Sequence, residues 1–144
     1  MSSLEVGDPL AHRALQALLR AESSVRRSVA TELERAGISA AGFSAMVVLR
    51  IAGGALELRT LRRRLDWSKA NATEVTLTLE QHGMVTRRRS QSDRRSLIIE
   101  LTATGAEMVE GLFPDHAERV SRAFASLDEH EKRSLADICR KLAA

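Results

Sequence analysis

The stretch from Met84 to Gly105, MVTRRRSQSDRRSLIIELTATG, limits the possible folds more than any other part of the chain. Two short segments of strand-forming residues flank a polar tip that holds Asp93, Arg94 and Arg95, which predicts a β-hairpin with a charged loop. In the second segment Leu97, Ile99 and Leu101 alternate with Ser96, Ile98 and Glu100, a period of two that buries one face. In the first, Arg87 and Arg89 share a face and Arg88 opposes them. Immediately upstream, Ser68 to Gly83 has helical spacing behind a capping serine. A helix that runs into a basic hairpin is the layout of a winged helix-turn-helix, which lays the helix in a DNA major groove with the hairpin beside it.

The rest of the chain supplies the helices such a core needs, and more. Leu10, Ala14, Leu18, Val25, Val29 and Leu33 form one apolar stripe on a helix of about 25 residues that ends near Gly37. A shorter helix is expected from Ala40 to Ala52 with Phe43, Val47 and Ile51 facing inward, broken by Gly53 and Gly54. Leu56 and Leu58 suit a minimal strand before a basic helix from Arg59 to Leu65, and Asp66 and Trp67 form the turn to Ser68. Thr102 is read as the cap of a long helix with Met108, Leu112, Val120, Phe124 and Leu127 on one side and a bend at Pro114. Asp128 and Glu131 have the spacing of a capping pair for a last helix, whose inner face is Leu135, Ile138 and Leu142. The expected class is mainly α with a small β-wing (α+β): a single domain over 1–144, a winged core at 38–102, and flanking helices at 8–36 and 103–144.

The flanking helices are longer than a small core can use. Their stripes, Leu10, Ala14 and Leu18 at one end and Leu112, Val120, Phe124, Leu135, Ile138 and Leu142 at the other, are most simply buried against a partner subunit, which predicts a homodimer. The alternative is that they fold back on their own domain.

Charge agrees with this layout. The net charge is only +3, yet Arg59 to Arg95 holds ten Lys or Arg against four Asp or Glu, a local +6 that leaves −3 on the remainder. A basic centre between acidic ends is the footprint of one face meeting phosphates, although such runs are also ordinary solvated faces. No apolar run approaches the roughly 18 residues of a membrane span, and the N-terminal residues carry no secretory signal. One cysteine, Cys139, excludes an internal disulfide and suits a reducing cytoplasm. It shares a helix face with Leu135 and Leu142, as a small core residue would, so redox sensing is not expected. Four scattered histidines give no zinc spacing, and no cofactor is implied. His116 falls within an apolar stripe and reads as buried or interfacial, with a pH or ligand sensor as the sharper alternative. No nucleophile–base arrangement or glycine-rich phosphate loop points to an enzyme.

On the groove-entering helix, Ala72, Val75 and Leu79 should point inward, leaving Lys69, Ala70, Asn71, Thr73 and Glu74 outward. Asn71 has the donor and acceptor to pair with adenine, and Lys69 reaches either guanine or a phosphate. Ser68 is first a cap, with neighbouring amides that suit a phosphate. Of Arg62, Arg63 and Arg64 at most two can face a DNA backbone, and Arg94 is either a phosphate contact or a solvated charge. Ser68, Lys69, Asn71, Thr73, Arg87, Arg89 and Arg94 are therefore candidate contacts to double-stranded DNA, joined by Arg95 on the resemblance that follows.

Asp93-Arg94-Arg95 followed by Leu101-Thr102-Ala103-Thr104-Gly105, together with Ser68 to Gly83 and Met84-Val85, resembles the MarR family of bacterial transcription regulators over nearly the whole chain. The family's wing tip reads Asp-x-Arg and its entry to the next helix Leu-Thr-x-x-Gly. The resemblance implies a homodimer that binds a palindromic operator and represses until a small aromatic or anionic effector releases it. It implies that Arg95 enters the minor groove and that Asp93 braces the wing. An effector cavity is expected where the terminal helices meet the winged domain, with His12, Arg13, Phe43, Met46 and Arg50 around it. Three positions depart from the pattern: Arg59 stands where a Ser or Thr cap is common, Asp66 replaces a common glycine, and Glu74 occupies an often basic site. The chain has no tyrosine, which excludes a pocket built on a tyrosine hydroxyl. The rival readings are a winged module for protein contacts or RNA, and a DNA-binding regulator without a ligand.

Overall fold

In the computed structural model, which describes residues 7–144 (for Thr31 and Glu32 the backbone only), the first helix is α1 (Pro9–Arg35). It starts where Asp8 Oδ1 accepts the amides of Leu10 and Ala11 at 3.0 and 3.2 Å. Residues 1–6 of the expected domain, and the sequence there read as lacking a secretory signal, lie outside the described residues. Gly37 ends α1 with φ +74, a left-handed turn in which the Ile38 amide reaches back to the Leu33 carbonyl at 3.0 Å. Then follow α2 (Ala40–Ile51), β1 (Ala55–Glu57), α3 (Leu58–Arg64), α4 (Lys69–Gln81), β2 (Val85–Arg89), β3 (Leu97–Leu101), α5 (Ala103–Ala123) and α6 (Glu129–Ala143).

The architecture is mainly helical with one small antiparallel sheet of order β1-β3-β2. The hairpin pairs Val85 with Leu101 and Arg89 with Leu97, and β1 joins the other edge of β3 with Leu56 opposite Ile99. Phe43, Met46 and Leu49 of α2 meet Leu61 of α3, Leu79 of α4, Val85 and Ile99 in one core under the sheet. Val109 of α5 and Leu33 of α1 close it from the flanking helices.

Several side chains lie elsewhere than their spacing predicts. Ile51 is 76% exposed rather than inward. Steps of four residues overshoot a 3.6-residue turn by about 40° each, so the Phe43–Val47–Ile51 line drifts off the face set by Phe43, Met46 and Leu49. Leu58 opens α3 instead of extending β1, leaving a three-residue strand. Ser96 is buried, because it closes the hairpin tip rather than alternating in the ladder: its amide donates to the Asp93 carbonyl and its carbonyl accepts the Ser90 amide, both at 2.9 Å. Helix α5 runs through Pro114 and ends before Phe124 and Leu127. Cys139 is exposed on α6, not a core residue of this chain. Leu10, Leu18, Leu135, Ile138 and Leu142 are exposed as well, and Ala14 lies on the same open half of α1. Leu112, Val120 and Phe124 are half-buried.

Candidate nucleic-acid interface

Helix α4 begins where Ser68 Oγ accepts the Asn71 amide at 3.1 Å, one of the donors that a helix start leaves unpaired. Ala72, Thr76 and Leu79 face the core at spacings of four and three, and Val75 is half-buried. Thr76 was not expected inside. Its hydroxyl donates to the Ala72 carbonyl at 2.8 Å, so a buried polar atom is satisfied within the helix itself. Lys69, Asn71 and Glu74 stay exposed.

The wing stands beside this helix. On one face Arg88 lies diagonal to Glu100, 3.7 Å apart, and both remain half in solvent. Arg87 and Arg89 take the opposite face with Leu97 and Ile99, as strand alternation requires. The Arg87 amide donates to Glu80 Oε2 at 3.2 Å, tying β2 to the last turn of α4. At the tip Asp93 Oδ1 accepts the Arg95 amide at 3.0 Å. The carboxylate thus holds the backbone two residues ahead, an Asx turn, and Arg95 leaves a fixed loop.

Between wing and helix is a basic cleft of about 460 Å³. Lys69 and Thr73 line it from α4, Arg87, Arg89 and Arg95 from the hairpin, and Arg59 and Arg62 from α3, with Glu57 as the one acidic lining residue. Arg87 Nε is buried there without a hydrogen-bond partner among the described residues. A wall of cations with a single carboxylate attracts an anion.

Of the eight candidate contacts, five (Lys69, Thr73, Arg87, Arg89 and Arg95) line this cleft. Ser68 is occupied as the cap, and Arg94 is exposed at the tip. Asn71 and Glu74 instead border a separate groove against Gly37, Ile38 and Ser39. Arg59 and Arg62 are additions. The arginine run on α3 signalled them, but which members face the cleft depends on how α3 docks. Arg62 also donates from Nε to the Trp67 carbonyl at 3.2 Å, bracing the turn before α4.

None of the five residues expected around an effector lines the cavity found where α1 and α5 meet the winged domain. Phe43 and Met46 are fully buried in the core, Arg50 is ion-paired with Glu110 at 2.6 Å, and His12 and Arg13 lie on the exposed half of α1. The reason is that α1 packs against α5 through its C-terminal half, where Val29, Ala30 and Leu33 are buried. A cavity of about 760 Å³ opens there, between α1, the α1–α2 turn and α5, lined by Val25, Arg26, Val29, Ser44, His116 and Val120 among others. His116 stands edge-on to Phe43, with ring centroids 4.7 Å apart, and burial lowers its pKa. Its Nδ1 is buried without a partner among the described residues.

The MarR family model matches residues 38–97, from the α1–α2 turn to the start of β3. Over 122 residues the chain is 30% identical to the uncharacterized HTH-type transcriptional regulator YkoM of Bacillus subtilis, covering 85% of this chain and 79% of that protein. It is 32% identical over 111 residues to the transcriptional repressor MprA of Escherichia coli, which is 76% of this chain and 63% of MprA. Reduced AbfR, solved bound to DNA, superposes with a TM-score of 0.71 at 26% identity over 92% of this chain and 91% of AbfR.

Proposed function

The chain belongs to the MarR family of transcriptional regulators, and from that premise we propose that it works as a homodimer gripping a palindromic operator and repressing transcription in the cytoplasm until a small molecule releases it. The observation that carries this reading is the cleft between α4 and the wing, which Arg59, Arg62, Lys69, Arg87, Arg89 and Arg95 line together. Residues 38–102 form the DNA-binding core, and 8–36 with 103–144 the dimerisation helices. Helix α4 enters the major groove, Arg95 reaches the minor groove, and Arg87 and Arg89 take phosphates from the flanking backbone. The repressor MprA and the complex of AbfR with DNA support the same direction. No helix among the described residues is long and apolar enough to cross a membrane.

We assign release to the cavity beside His116. Its walls are largely aliphatic, and Arg26 already lies 3.5 Å from Glu22, so the site suits an uncharged aromatic molecule better than an anion. Such a ligand acts only by its preference for one spacing of the two DNA-binding heads over another.

Selection of bound duplexes from random DNA tests the reading. The recovered sites are expected to be twofold symmetric, with half-site centres about 10 bp or a multiple apart, and affinity should fall steeply with salt. Recovery of single unsymmetrical half-sites, or binding indifferent to ionic strength, would count against it.

A further inference from the structure

We propose that Arg140 of α6 is a positioning residue for DNA recognition: through its ion pair with Asp66 it fixes the turn from which α4 starts. The inference rests on the DNA-binding reading above.

Asp66 is the one non-glycine residue with positive φ among those described, at +54. Glycine occupies such a conformation without strain, and aspartate is among the few L-residues that tolerate it. The side chain kept here at that cost points to a contact 74 residues away: Arg140 Nε donates to Asp66 Oδ2 at 3.1 Å. Asp137, one turn earlier on α6, accepts from Arg140 Nη1 at 3.2 Å and orients the guanidinium. On the other side of the same turn, Arg62 Nε holds the Trp67 carbonyl. The next residue, Ser68, caps α4. Three helices therefore converge on four residues, and the turn is held from α3 and from α6 at once.

The pair has a second consequence. A carboxylate two residues before the cap of a groove-entering helix repels phosphates, and Arg140 cancels that charge. Helix α6 also carries the exposed Leu135, Ile138 and Leu142, the stripe assigned to the partner subunit. A helix anchored by the partner at one face and by Asp66 at another passes the dimer's geometry directly to the start of α4. The turn is then ordered before DNA arrives, which lowers the ordering cost of binding.

The experiment compares Arg140→Gln, Asp66→Asn and the double variant in the full-length protein. Affinity for the selected operator duplex is read by fluorescence anisotropy, dimerisation by sedimentation, and amide exchange at Asn71 and Ala72 by mass spectrometry or NMR. Asparagine keeps the tolerance for positive φ while losing the charge. Asp66→Asn makes the protein more cationic, so simple electrostatics predicts tighter binding. A positioning role predicts weaker binding, by about two- to fivefold per subunit for either single variant. The double variant should lose no more than the larger single loss, with faster amide exchange and an unchanged dimer. Unchanged or tighter binding by Asp66→Asn, losses that multiply in the double variant, or unaltered exchange would overturn the proposal. If the unsubstituted protein itself binds no duplex, the functional reading fails, and the exchange measurement still decides whether Arg140 holds the turn.

Discussion

Arg95 leaves the wing from a backbone already fixed by Asp93, and this separates the two acidic–basic roles at the tip. We expect Arg95→Ala to weaken operator binding by about 1–3 kcal/mol, the range for an inserted arginine, and Arg94→Ala by much less. Asp93→Ala is the informative companion. It removes a negative charge beside DNA, so a fall in affinity identifies bracing and a rise identifies repulsion; anisotropy titrations at one salt concentration distinguish them, and we expect the fall. Much of this was legible in the sequence. Alternation alone puts Arg87 and Arg89 on one face, and the three-residue Asp-x-Arg spacing suffices for the Asx turn. The stranded Nε of Arg87 was not legible, because it depends on how the wing docks against α4. The place of Asn71 outside the cleft was not legible for a related reason. Outward on a helix describes an arc, and the α1–α2 turn claims the part of that arc where Asn71 and Glu74 lie. The lining of the cavity beside His116 was not legible, because an apolar stripe marks a helix face without saying which half of it packs.

Among the elements, the junction of wing and α5 gives physical content to the Leu-Thr-x-x-Gly pattern. Thr102 Oγ1 donates to the Gly83 carbonyl at 2.6 Å and accepts the Gly105 amide at 3.0 Å, so one hydroxyl ends the hairpin and caps the helix. Gly105 is buried with the Met84 carbonyl lying where a Cβ would be. Backbone cannot yield there as a flexible side chain would. Gly105→Ala should therefore destabilise the protein by about 1–3 kcal/mol, the usual cost of overpacking, despite alanine's better helix propensity. Thermal or urea unfolding measures this, and a neutral or stabilising result would show that α5 shifts away without loss. Caps and glycine stops made most helix limits readable: Ser68, Thr102 and Asp128 each accept the amide three residues on, and in the structure Ser39 does the same for α2. The boundary at Leu58 was not readable, since a leucine serves a short strand and a helix start equally well. Ile51 turns outward because steps of four residues overrun a helix that turns every 3.6.

For the whole molecule, the open question of the flanking helices becomes one of surface. Leu19 is 58% and Ile138 63% exposed, and Leu10, Leu15 and Leu142 are likewise open to solvent. Two helices with unburied leucines at opposite ends of one chain fit a twofold arrangement in which each covers the other's stripe, since fully burying one such side chain contributes roughly 1.5–3 kcal/mol. Leu19→Asp and Ile138→Asp place a charge on that surface without touching the winged core. We expect each to shift the protein from dimer to monomer in sedimentation at micromolar concentration, with the helical circular dichroism of the core retained. Operator affinity should then fall toward that of an isolated half-site, because two tethered heads gain from effective concentration what one head lacks. The loss should be recovered in part at high protein concentration, where mass action rebuilds the dimer. A variant that remains dimeric and binds as before would place the interface elsewhere. An unsubstituted chain that sediments as a monomer would leave these leucines without a partner, and with them the twofold reading of the operator.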